Sequence, residues 1–193
     1  MSPDTRALLV AAAAKLLDRG GPAAVTLREV GKLAGVSHNA PYKHFADKEE
    51  LLAAIASREL RRQSQAMSDL GATRRPIETM RLLMRGYVRW ARAKPARFKL
   101  TFGPWTTEND DLGEAASESR ATLVSIVKAA QARDELPLGN PDRIAALFLA
   151  LAHGAADLAL SGHLSAKGKG SADPEDLVDD LILYLRAIRP RKK

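Results

Sequence analysis

Residues Thr26 to Leu52, TLREVGKLAGVSHNAPYKHFADKEELL, carry the pattern that decides the fold. Thr26 and Glu29 form a Thr-x-x-Glu capping box, which satisfies backbone donors that a helix start leaves open, so a helix is predicted from Leu27. Leu27, Val30, Leu33 and Ala34 recur at helical spacing and supply one apolar face. Gly35 follows, where a left-handed residue ends a helix without the clash that a Cβ brings. Val36 plugs the corner, and Ser37 is a preferred N-cap for a second helix running to about His44. Asp47 with Glu50 is a second capping box that opens the next helix. Two short helices around a glycine-containing turn make a helix-turn-helix, whose second helix enters the major groove of DNA.

The rest of the chain extends this into an all-α protein of about nine helices. Ala and Leu dominate, β-branched runs are scarce, and Gly and Pro fall between periodic segments. Helices are predicted over Pro3–Arg19, the two of the motif, Asp47 to about Leu70, Ile77–Ala93, a short aromatic stretch from Pro95, Leu112–Arg133, Pro141–Leu160 and Pro174–Ile188. Gly71 and Pro76 bracket a break, and a Gly/Lys/Ser linker spans Ser161–Asp173. With 193 residues the chain suits one extended domain or two small ones. The reading divides it into a three-helix head, residues 1–50, and a helical body, residues 51–193.

Composition bounds the function. The absence of cysteine excludes disulfides and thiol catalysis and fits a reducing cytoplasm, the expected location. No apolar run approaches the ~20 residues that span a bilayer, and no signal-peptide pattern opens the chain, so no membrane partner is expected. A net charge of +7 suits a polyanionic partner. The four histidines, His38, His44, His153 and His163, do not converge in sequence, so neither a metal site nor a cofactor is expected.

Gly21, Thr26, Leu27, Val30, Ala34, Gly35, Val36, Ser37, Tyr42, His44, Phe45, Lys48 and Leu51 together resemble the N-terminal domain of the TetR family of transcriptional regulators. The close resemblance covers roughly residues 5 to 60. The stretches Lys94-Pro95-Ala96-Arg97-Phe98 and Leu151-Ala152-His153-Gly154-Ala155 resemble the WHG subtype of the family's C-terminal body, although the second lacks that subtype's tryptophan. The resemblance implies a homodimer that binds a double-stranded operator and holds a small effector in its body. It implies a repressor released by that effector; an activator, or a regulator without a ligand, is the alternative. A helical enzyme using His153 and Asp157 is a remote alternative, since no nucleophile motif or phosphate loop accompanies them.

Within the motif the expected DNA contacts are Thr26, Arg28, Ser37, His38, Asn39, Ala40, Tyr42, Lys43, His44 and Lys48. His38, Asn39 and Ala40 begin the recognition helix and are placed to touch base edges; Asn39 can pair with adenine through its acceptor and donor together, or can serve as a second helix-start residue. The resemblance assigns phosphates to Tyr42, Lys43 and His44. Lys48 is a cation at a positive helix start, an unfavourable position that a neighbouring phosphate explains. Phe45 is read as core.

In the body, Trp90, Phe98, Phe102 and Trp105 either line an apolar effector cavity or simply form core, with His153 and Asp157 as its polar end or as a structural pair. Arg81, Arg85, Arg89 and Arg92 form a basic stripe read as a solvated face, with an anionic effector or DNA flanks as alternatives. Ile144, Leu147, Phe148, Leu151 and Leu158 on one helix, and Leu177, Val178, Leu181, Ile182, Leu185 and Ile188 on the other, are expected at a four-helix dimer interface, with packing inside the monomer as the alternative.

Overall fold

The computed structural model describes residues 4–106 and 108–187; the expected helix ends at Pro3 and Ile188 lie outside them. Among the described residues there are nine α-helices, α1 (Thr5–Gly20), α2 (Leu27–Ala34), α3 (Ala40–His44), α4 (Lys48–Thr73), α5 (Pro76–Ala93), α6 (Pro95–Thr101), α7 (Asp110–Ala132), α8 (Pro141–Leu160) and α9 (Asp176–Ala187), and one 3-10 turn, Pro22–Ala24. Contacts divide the chain into two compact units. The first holds residues 1–62 and 94–117, the second residues 63–93 and 118–193. The division therefore runs differently from a single cut at residue 50: α6 and the start of α7 cluster with the N-terminal helices.

In the first unit, Leu9, Ala13 and Leu17 of α1 close over Val30, Phe45, Leu51 and Ile55 to form the core. α1 starts where the Asp4 carboxylate accepts the Arg6 N–H. At the end of α2, Gly35 adopts φ 69° and ψ 29°. Its N–H donates to the Lys32 carbonyl, and the Val36 N–H donates to Gly31, the paired bonds of a Schellman ending. α2 and α3 cross closely at Gly31, where an added Cβ would lie 2.9 Å from Pro41 Cγ. Gly31 carries only a faint mark in the sequence, a residue without a side chain on the buried side of a short helix.

α6 is held to α1 and α4 by charge. The Arg97 guanidinium donates from Nε and Nη2 to Asp18 and from Nη1 to Glu59, all within 3.0 Å. Glu59 is 3% exposed and Arg97 11%. Burial would raise the Asp18 pKa, but the hydrogen bonds from Arg97 and Lys94 overcome this and hold it below its ordinary 3.8. Arg61 does the same for Asp111, 2.7 Å away.

The second unit is built on α5, which packs against α8 and α9, with α8 also against α9. Met80, Met84, Val88, Phe148, Ala152, Val178 and Ile182 are buried there. α8 begins where the Asn140 side chain accepts the Asp142 and Arg143 N–H groups. It is 20 residues long, with a mean hydropathy of 1.5 over its most apolar 18-residue window, so one helix among the described residues is long and apolar enough to cross a membrane. That corrects the expectation of no such run. Its Ile144, Ala145, Phe148, Ala152, Ala155 and Ala156 are buried, and the helix packs against α5 and α9. Gly71 does not break α4, which runs through it to Thr73. The buried Glu135 accepts from the Ile77 N–H and from Arg75, and these offset the burial penalty to keep its pKa below the ordinary 4.5.

Asp18, Asp111 and Glu135 all bind a proton less readily when folded. Such groups stabilise the fold above their ordinary values and lose that contribution as pH falls through the lowered ones. The melting temperature is therefore expected to be level on the alkaline side of about pH 5 and to drop below about pH 4; a level profile down to pH 3 would contradict these pairings. Arg97→Met, which among the described residues leaves Glu59 only its longer 3.6 Å pair with Arg58, should cost roughly 1–3 kcal/mol in a denaturant melt. Gly31→Val should cost ~1–3 kcal/mol by overpacking against Pro41, and a variant as stable as the parent would show that α2 and α3 can separate freely.

Candidate nucleic-acid interface

Thr26 caps α2 through its hydroxyl, which accepts the Glu29 N–H at 3.2 Å. The recognition helix is shorter than its sequence suggests. α3 begins at Ala40 with Asn39 at the N-cap position, so Ser37 does not cap it. The Ser37 carbonyl instead accepts the Ala40 N–H at 3.0 Å and closes a turn through His38 and Asn39. The reason lies at Pro41: a helix running through Ser37 would need residue 41 to donate to that carbonyl, and proline has no N–H.

Asn39 makes no capping hydrogen bond with its side chain. Its amide is exposed, as are Arg28, Ser37, His38, Tyr42, Lys43, Lys48 and Thr26, while Ala40 and His44 are half-buried. The His38 and Tyr42 rings meet one turn apart, with centroids 5.9 Å apart. Phe45 is 1% exposed and belongs to the core. Arg6 lies over its ring at 5.2 Å, a cation–π contact from α1 that the sequence did not announce. At the start of α4 the second capping box is present: Asp47 accepts the Glu50 N–H, and Glu50 accepts the Ala46 N–H. Lys48 follows Asp47 directly and makes no ion pair among the described residues.

The other candidate residues are distributed between the two units. Phe98, Phe102 and Trp105 belong to the first, Trp90, His153 and Asp157 to the second. Phe98 and Phe102 pack with ring centroids 6.0 Å apart, and Phe102 and Trp105 lie against Ala53, Ala56, Leu60 and Leu112. In the second unit the His153 Nδ1 lies 3.0 Å from the Tyr87 hydroxyl, and Tyr87 packs against Trp90. Asp157 is exposed. The buried Tyr87 was not among the expected site residues, because a lone tyrosine on an apolar helix face reads as core. Burial pushes its hydroxyl pKa well above the usual value, so it stays protonated and can donate. Among the described residues no group of three or more acids and histidines could hold a metal ion.

The basic stripe of α5 is largely exposed, as a solvated face would be, but three of its four arginines are paired within the chain. Arg85 pairs with Glu175, Asp176 and Asp179, Arg81 with Asp179, and Arg89 with Glu175. These carboxylates lie at and just before the start of α9, where the helix dipole favours them. Two of the expected dimer residues have little surface to offer. Phe148 at 1% and Ile144 at 7% exposure are already buried within the chain, and a side chain with no surface left has little to bury against a second copy. Leu151, Leu177, Leu181 and Leu185 are half-buried. The exposed apolar residues of these helices are Leu147 and Leu158 on α8, and Leu183 and Tyr184 on α9.

Two family models match the chain: one described as bacterial regulatory proteins, tetR family, over residues 9–55, the other as tetracyclin repressor-like, C-terminal domain, over residues 80–185. No curated protein matches. Among solved structures, a protein of unknown function from Rhodococcus sp. RHA1 is 29% identical, covers 97% of this chain and 98% of its own, and superposes with a TM-score of 0.80. FadR from Bacillus subtilis, solved with stearoyl-CoA, is 14% identical over 94% of this chain and 97% of its own, with a TM-score of 0.70. AibR, solved with isovaleryl coenzyme A and operator DNA, is 16% identical over 94% and 98%, with a TM-score of 0.65. At those identities the last two establish likeness of fold alone. The C-terminal model spans more than half of the chain and the N-terminal one covers the helix-turn-helix, so this chain belongs to the TetR family of DNA-binding transcriptional regulators.

Proposed function

We propose that the chain is a homodimeric repressor of a near-palindromic operator, released when a small effector binds its helical second unit. The observation that carries the DNA reading is Asn39: it stands exposed at the start of α3 with its amide unspent on capping, beside an exposed His38. Asn39 reads a base edge and His38 assists, while Tyr42, Lys43, His44 and Lys48 grip phosphates, with Thr26 and Arg28 beside them. Base contacts specify and phosphate contacts position, so the two classes separate in binding experiments.

The Leu147, Leu158, Leu183 and Tyr184 faces of α8 and α9 support the dimer. Leu147 and Leu158 are eleven residues apart, three turns of helix, and so share one face. Two copies joined there would present two heads to half-sites about 34 Å apart. The effector reading rests on the Tyr87, Trp90 and His153 cluster, an apolar wall with one polar anchor. FadR and AibR were each solved with an acyl-CoA thioester, so thioesters of that class are the first ligands to try. Release requires that the effector prefer the state that does not bind DNA, and a coupling of ~1–3 kcal/mol suffices for regulation.

Selection of bound fragments from random DNA, followed by titration of the variants, tests this reading. Asn39→Ala should weaken operator binding by ~1–3 kcal/mol and relax preference at one symmetric position. Lys48→Ala should weaken operator and random DNA equally and reduce the salt slope by roughly one per half-site. An unchanged sequence preference in Asn39→Ala would remove it from base readout.

The dimer is tested by Leu147→Glu combined with Leu183→Glu. Both positions are exposed, so the folded chain tolerates the charges, whereas an apolar seam does not. Light scattering at micromolar concentration should report a monomer, and a persistent dimer would place the interface elsewhere.

A further inference from the structure

A groove that the family reading leaves unused lies wholly within the first unit. It is an open groove of about 970 Å³, walled by the Gly21-Pro22 turn, the first turn of α4, α6 and residues 103–106. Its size suits a small organic molecule, for which pockets of ~300–1,000 Å³ are usual. The lining is mainly apolar, with Leu52, Leu100 and Trp105 prominent, while Lys48 and Lys99 supply cations. Neither lysine is held in an ion pair among the described residues. The groove also carries two carboxylates, Asp47, which accepts the Glu50 N–H, and Glu49, which accepts the Thr106 hydroxyl at 2.8 Å. The Trp105 indole Nε1 is buried and meets no acceptor among the described residues.

We infer that this groove binds an amphipathic anion, a carboxylate or sulfonate on a flat apolar body, and that such a ligand competes with DNA for Lys48. The apolar body lies along Leu52, Leu100 and Trp105, and its anion meets Lys99 and Lys48. Because Lys48 is the cation assigned above to a DNA phosphate, occupancy of the groove removes a phosphate contact directly, without a change of state in the second unit. This competition rests on that assignment of Lys48; binding in the groove does not.

The test uses the full chain and two dyes of similar shape, 8-anilinonaphthalene-1-sulfonate and the uncharged N-phenyl-1-naphthylamine. The chain has two tryptophans, so Trp90→Phe leaves Trp105 as the sole energy donor. The sulfonate should then accept energy from Trp105. Lys99→Gln should weaken the sulfonate roughly threefold, in keeping with one partly exposed charge contact, and leave the neutral dye unchanged. Lys99 is outside the DNA contacts, so Lys99→Gln should melt and bind random duplex DNA like the parent, which shows that a lost dye signal is not unfolding. Duplex DNA at low salt should displace the sulfonate.

Absence of transfer from Trp105, or equal behaviour of the two dyes in Lys99→Gln, would overturn the groove site. Duplex binding that the sulfonate leaves untouched would overturn the competition. A parent chain that binds no duplex even without dye would count instead against the function proposed above.

Discussion

The close crossing of α2 and α3 at Gly31 and Pro41 is the constraint on which the DNA-binding head depends. With 2.9 Å between a hypothetical Gly31 Cβ and Pro41 Cγ, no larger residue fits unless the helices part. Pro41 acts twice: its ring fills the space under α2, and its missing N–H forbids an α-helix through Ser37. The chain therefore turns at His38 and Asn39 before α3 begins, which leaves both side chains exposed rather than enclosed in a first helical turn. The Schellman ending at Gly35 fixes the same corner from the other side.

Charge does in each unit what apolar packing leaves undone. In the first, Arg97 is almost buried among Asp18 and Glu59 and ties α6 to α1 and α4. In the second, Arg81, Arg85 and Arg89 seat the start of α9 on α5. The two differ in strength for a physical reason. Arg97 is 11% exposed, so little water screens it. Arg81 and Arg89 are 54% and 60% exposed, and pairs in that environment contribute little each. Among the described residues Arg28, Lys43 and Lys48 of the head make no ion pair, whereas Arg81, Arg85 and Arg89 of α5 do.

Features that depend on neighbours in sequence were legible from the residues. Both capping boxes, the left-handed Gly35 and the helical content follow from side chains within four positions of one another, and the structure carries each of them. The start of α3 was misjudged because the preference of Ser37 for an N-cap is a local rule, overridden by proline four residues later. The effector and dimer candidates were chosen by apolar spacing, which identifies a helix face without saying what covers it. Phe148 and Leu147 are adjacent and both apolar, yet one is fully buried and the other half exposed.

The sequence by itself determined the helix-turn-helix and the family, because capping, turn and periodicity are short-range physics written in neighbouring residues. Only the tertiary structure decided that α6 clusters with the head, that the arginines of α5 belong to α9, that His153 meets Tyr87, and that Gly31 must be small. Each of these pairs residues distant in sequence or elements that cross in space, and its partner is selected by chain packing. No local spacing rule encodes that choice.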